Sequence, residues 1–144
     1  MTKVKPKKVI MWFRQDLRLM DNPALSEASK CGQIVPIYIF DDTNAGDAAL
    51  GASSKLWLYY SLKALHKELE GKLRFLRGDP KILLRKLLVK NNIHSIFWNR
   101  CYEPWQITRD TIIKTQLTGE GYNVKTFNGS LLWEPWQVMK KDGT

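Results

Sequence analysis

Metal and redox chemistry have little to work with in this chain, which has two cysteines and two histidines in 144 residues. Cys31 and Cys101 stand far apart with no CxxC spacing. Neither a disulfide framework nor a zinc site is indicated, and a reducing, cytoplasmic setting is the default expectation. Cys101, beside Arg100, reads first as a small packing residue and second as a reactive thiol. His66 lies inside an amphipathic helical pattern and His94 at a strand start. With no nucleophile or carboxylate at motif spacing, both read as satisfied structural histidines, and no catalytic triad is discernible. No run reaches the ~18 apolar residues of a membrane span, and the N-terminus lacks an apolar signal core. GxGxxG, GxxxxGK[ST] and a magnesium-type carboxylate cluster are all missing, which weighs against nucleotide triphosphate chemistry. No internal repeat or low-complexity segment is visible.

Acidic residues are scarce as well. Fourteen Asp and Glu face 23 Lys and Arg, leaving a net charge of +9. That surplus suits a polyanionic neighbour such as nucleic acid, or plain solubility; composition does not choose between them. Part of it is the cluster Lys3, Lys5, Lys7 and Lys8 at the N-terminus.

What is present is globular: 44% hydrophobic and 26% charged residues in a length that fits one domain. Apolar runs of strand length, VIMWF (9–13), IVPIYIF (34–40), KLRFLR (72–77), IHSIFWN (93–99) and YNVKTF (122–127), alternate with helical patterns. Several runs are apolar on both faces, as buried parallel strands are. Leu58, Leu62, Leu65 and Leu69 recur at helical spacing, as do Leu83, Leu84, Leu87 and Leu88; a further helix over 104–118 carries Ile107, Ile112, Ile113 and Leu117. Asn22-Pro23, Asp79-Pro80 and Glu103-Pro104 each set a polar capping residue before a proline, and Gly32, Gly71 and Gly119 or Gly121 close helices. Strand–helix–strand, repeated, predicts an α/β fold: a Rossmann-like, doubly wound, five-stranded parallel sheet with helices on both faces. In such sheets ligands bind at the carboxyl ends of the strands where the strand order reverses. With the first and fourth strands adjacent there, the loops at 14–22 and 99–105 would share one crevice, flanked by 41–54 and 78–80.

The most unusual of these ends is WFRQDLRLMDNPAL (12–25), in which Arg14, Asp16, Arg18 and Asp21 follow an apolar strand. Two readings stand: an ion-paired brace between loop and helix, or anion or cofactor binding by Arg14, whose guanidinium forks onto oxyanions and stacks on rings. RGDP (77–80) resembles a phosphate-type turn at a helix start. NRCYEPW (99–105) gathers stacking and hydrogen-bonding groups suited to a flat heteroaromatic ligand, although Trp98 and Trp105 serve equally as packing. The tail GSLLWEPWQVMKKDGT (129–144) leaves the sheet and ends beside Asp142-Gly143, a hairpin-turn dipeptide without a second strand, which reads as the front part of a longer protein.

Taken together these pieces resemble the DNA photolyase/cryptochrome family. MWFRQDLRLMDNPAL is similar to that family's opening signature, and RGDP, FWNRCYEPW…RD (with Arg109-Asp110) and GSLLWEPWQV follow in the family's order. The resemblance implies a flexible basic N-terminus over 1–7, an α/β antenna domain over 8–128, and over 129–144 the start of a linker toward a helical domain that holds FAD and damaged DNA. It implies a deoxyribodipyrimidine photo-lyase as the full-length protein, with no catalytic residue or metal ligand in this portion, which alone would neither repair DNA nor hold FAD. The α/β domain would bind a light-harvesting chromophore (a reduced folate, a deazaflavin or a flavin) near Arg14, Asp42, Lys55, Asn99 and Glu103. Folate-binding members of the best-known bacterial type carry Asn-Glu at the start of the last helix. Here the pair is Trp105-Gln106, and Gln106 hydrogen-bonds without supplying the charge, which weighs against folate and leaves stacking by Trp105 open. This portion alone is expected to bind a chromophore weakly or to be isolated empty, since a second domain would complete one wall of the crevice. A monomer with no membrane attachment is expected. The alternatives are a cryptochrome-type photoreceptor and a stand-alone nucleotide-binding module.

Overall fold

In the computed structural model the described residues are 7–14, 17–41, 52–101 and 103–128, with residues 52–54 as backbone only. The elements alternate strictly: β1 (Lys8–Phe13), α1 (Pro23–Cys31), β2 (Gln33–Phe40), α2 (Ala52–Glu68), β3 (Arg74–Arg77), α3 (Pro80–Lys90), β4 (Ser95–Asn99), α4 (Pro104–Gly119) and β5 (Asn123–Phe127). The five strands form one sheet in the order β3-β2-β1-β4-β5, and every neighbouring pair is parallel. β1 and β4 are therefore adjacent, with Trp12 opposite Trp98, and the strand order reverses between them.

Period-two alternation along β1 divides the core into two layers. Ile10 and Trp12 join Ile37, Ile39, Ile96 and Trp98 beneath Leu84 and Leu88 of α3 and Ile113 and Leu117 of α4. Val9, Met11 and Phe13 join Phe97 beneath Ala24 and Ala28 of α1 and Leu58, Leu62 and Leu65 of α2. Helices thus cover both faces, and β1 is apolar and buried from Val9 to Phe13, with only Lys8 at its start charged and exposed. Pro36 sits where β2 has β1 alone for a neighbour, because β3 pairs only with Ile37–Phe40.

Local signals are obeyed at most boundaries. Asn22 Oδ1 accepts the Leu25 N–H at 3.1 Å, and Asp79 Oδ1 accepts the Lys81 N–H at 3.1 Å, so both side chains cap their helices. Glu103 departs from this device: its side chain makes no cap bond and instead accepts the Trp105 indole N–H at 2.8 Å. The third strand is shorter than its apolar run, since Lys72 donates its N–H to the Leu69 carbonyl in the preceding turn. That turn passes through Gly71 at φ 76°, where glycine carries no steric penalty. Gly32 is required for a different reason: a Cβ there would stand 2.1 Å from the Lys7 carbonyl oxygen. The expected hairpin near Asp142-Gly143, and Lys3 and Lys5 of the basic N-terminus, lie outside the described residues. Among the described residues no helix is long and apolar enough to cross a membrane.

Candidate functional site

The parity that sorts the core also aims the side chains at the strand ends. Arg14 continues the Ile10–Trp12 series toward the α3/α4 face and is only 6% exposed. One guanidinium nitrogen pairs with the Asp110 carboxylate, and Nη1 donates to the Asn99 carbonyl at 3.5 Å. Its carbon stands 4.4 Å from the centre of the Trp12 ring and 5.9 Å from that of Trp98.

Arg109, one turn into α4, repeats the arrangement. Its Nη1 donates to Asp41 Oδ2 and its Nε to Asp110 Oδ1, both at 3.0 Å. Its guanidinium lies 5.1 Å from the Trp12 ring centre and 5.0 Å from that of Trp105. Tryptophan and arginine therefore alternate along a ladder: Trp98, Arg14, Trp12, Arg109, Trp105. Two cations and two carboxylates keep it neutral, and the paired geometry offsets the cost of burying charge. The ladder ties the ends of β1, β2 and β4 to the start of α4.

At the outer end of this ladder lie Trp105 and Gln106. Trp105 is half-buried, with Arg109 at its ring and Glu103 on its N–H. Gln106 shares α4's buried face with Arg109 and Ile113 and is 6% exposed. Its Oε1 is buried without a hydrogen-bond partner among the described residues. Nearby, burial pushes the Tyr38 phenol up to about 12; the Arg109 guanidinium pulls the other way, and Cys101 adds to the rise.

Asn99 has the opposite parity and works on the other face. Its Nδ2 donates to Asn22 Oδ1 at 2.6 Å, and its Oδ1 accepts the Ala24 N–H at 3.1 Å, fastening the start of α1 to β4. Asn22 in turn donates to the Arg18 carbonyl at 2.9 Å, and the Arg18 guanidinium donates to the Asp21 carbonyl at 2.9 and 3.2 Å. The brace in this loop runs through those backbone carbonyls; Asp16 lies outside the described residues.

The expected site residues thus separate. Arg14, Glu103, Trp105 and Gln106 gather where β1 and α4 meet, while Asn99 reaches the same strand ends from the α1 face. Lys55 is exposed in the first part of α2, and Asp42 lies outside the described residues. Arg109, Asp110 and Asp41 join Arg14 and Trp105 although they are not among the expected contacts. Asp41 was findable, because it continues the Ile37–Ile39 alternation toward α4. RGDP does not present an open anion site, since Asp79's own carboxylate occupies the α3 N-terminus. His66 Nδ1 is buried with no partner among the described residues, so the expectation of a satisfied histidine fails there.

A five-stranded parallel sheet whose strand order reverses between β1 and β4, with helices on both faces, defines a doubly wound α/β domain. The sequence model of the DNA photolyase family matches residues 9–144, and the chain belongs to that family. It is 39% identical to the deoxyribodipyrimidine photo-lyase of Agrobacterium fabrum, over 97% of this chain and 29% of that protein. It is 34% identical to cryptochrome-2 of Arabidopsis thaliana, over 95% of this chain and 23% of that protein. Among solved structures, a bacterial class III photolyase from Agrobacterium tumefaciens superposes with a TM-score of 0.89 at 36% identity, covering 99% of this chain and 30% of that one. The chain therefore spans less than a third of the length of these relatives, in the region of their N-terminal α/β domain.

Proposed function

We propose that this chain is the N-terminal part of a DNA photolyase and that its own task is to hold a light-harvesting chromophore at the ends of β1 and β4. The reading is carried by Gln106 Oε1, a buried acceptor without a partner among the described residues, one position from a half-buried tryptophan. Such an orphan costs about 1–3 kcal/mol, which a ring N–H or O–H donor seated beside Trp105 would relieve. Trp105, held by Glu103 and Arg109, supplies a fixed aromatic surface for stacking. These residues fit a flat heteroaromatic with a donor edge, as reduced folates, deazaflavins and flavins all are; the absence of charge on Gln106 weighs against folate. Arg14 lies at the inner end of the contact set; Asn99, Lys55 and Asp42 belong to it by the family resemblance, Asn99 reaching the strand ends from the α1 face and Asp42 lying outside the described residues.

When bound, such a chromophore supplies excitation from blue or near-ultraviolet light. In the whole protein that energy would reach FAD in a helical domain, where electron transfer splits a pyrimidine dimer in damaged DNA. The residues described here bind, orient and shield the ring; none is catalytic. A cytoplasmic monomer is part of the same reading. The identity to the Arabidopsis cryptochrome favours one second reading, a blue-light photoreceptor built on the same α/β domain.

The test is titration of a reduced folate, a deazaflavin and a flavin into the chain and its Trp105→Ala variant, following absorbance and tryptophan quenching. One class should bind, and the variant should bind it at least about tenfold more weakly. Binding of none, or equal binding by both proteins, would defeat the reading.

A further inference from the structure

The outward face of α2 is built against the usual rule for a surface helix. Leu58, Leu62 and Leu65 supply the buried stripe, so the opposite side should be polar. It carries instead Leu56, Trp57, Tyr59 and Tyr60, each 58–62% exposed. The two tyrosines meet edge to face at 5.4 Å, which keeps their rings on the surface. Phe75 on the edge strand β3 extends the patch: it is 44% exposed, and its ring lies 5.5 Å from that of His66 on α2.

The charges on this face all have one sign. Lys63 and Lys67 are exposed, and the helix has no acidic residue before Glu68. Leu56, Tyr60, Lys63 and Lys67 recur every three or four residues, so the lysines continue the aromatic stripe along one side of the helix. A patch meant for an ordinary protein interface tends to be depleted in lysine, whereas aromatic rings interleaved with lysines suit a strand of bases and phosphates.

We propose that the outer face of α2, with Phe75 at its margin, is a binding surface for single-stranded nucleic acid. Bases stack on Tyr59, Tyr60 and Trp57 while Lys63 and Lys67 neutralise the backbone. The surface is separate from the crevice at Trp105 and does not depend on which chromophore, if any, binds there. No base-specific contact is involved, so the preference is for unpaired bases rather than for a sequence.

The test is fluorescence anisotropy of a labelled oligothymidylate with the chain across a salt series. Tyr59→Ser/Tyr60→Ser should weaken binding at least about tenfold with the salt slope unchanged. Lys63→Gln/Lys67→Gln should flatten the slope of log K against log salt by about 1.4. Lys86→Gln/Lys90→Gln, an equal charge change on α3, should do markedly less. A tyrosine variant that binds like the original chain would overturn the proposal. So would an α3 variant as impaired as the α2 one, duplex binding as tight as single-strand binding, or concentration-dependent pairing of two chains abolished by the tyrosine substitutions.

Discussion

Replacing Arg109 by methionine keeps most of its volume and removes its charge, which makes it a direct probe of the buried ladder. In the folded chain the Arg109 and Asp41 side chains are 6% and 4% exposed, and the pair stands at 3.0 Å. Breaking a buried pair from one side typically costs about 3–5 kcal/mol, because the remaining charge keeps its desolvation penalty. Asp110 retains Arg14 as a partner, which places the expectation at the lower end, about 3 kcal/mol. For a domain of this size that corresponds to a fall of about 10 °C in Tm. Urea unfolding followed by far-ultraviolet circular dichroism measures the difference. The double variant Arg109→Met/Asp41→Asn should regain about 1–2 kcal/mol, since it removes the carboxylate's charge as well. An Arg109→Met chain as stable as the original, or a double variant no more stable than the single, would refute the reasoning.

Two further outcomes follow from single contacts. Gly32→Ala should cost about 1–3 kcal/mol through collision with the Lys7 carbonyl rather than through backbone dihedral strain, read as an earlier urea midpoint. Tyr38 titrates at about 12 when folded against 10.0 when unfolded, so the unfolded chain loses its proton first. Its contribution is therefore complete below pH 10 and drains away as pH rises toward 12; Tyr38→Phe should flatten that alkaline decline in stability.

Elements were easier to read than side-chain directions. β1 and β4 announced themselves by apolar runs, and Asn22-Pro23 and Asp79-Pro80 marked helix starts, because these signals act over a few adjacent residues. Glu103-Pro104 looked identical, yet the glutamate's longer arm reaches the Trp105 indole instead of the helix N–H groups. Alternation along each strand puts Arg14 and Asp41 in the series of Trp12 and Ile39, and Asn99 in that of Phe97 on the opposite face; which helix covers each face is set by the fold. What it withheld was the partner: Arg109 and Asp110 lie far along the chain, and only the adjacency of β1 and β4 brings them beneath Trp12. The exposed face of α2 was hidden by its own leucine spacing, which accounts for the buried stripe and is silent about the opposite one.

If Gln106 Oε1 is the acceptor for a bound chromophore's donor, Gln106→Leu should give two readouts of opposite sign. Removing an orphaned buried acceptor should raise the stability of the chain without chromophore, by up to about 1–3 kcal/mol. The same substitution should weaken whichever chromophore binds by about tenfold, because the ring's donor then loses its acceptor. A variant that gains stability and loses affinity is the predicted result. One that binds the chromophore as tightly as the original chain would contradict the assignment of the crevice.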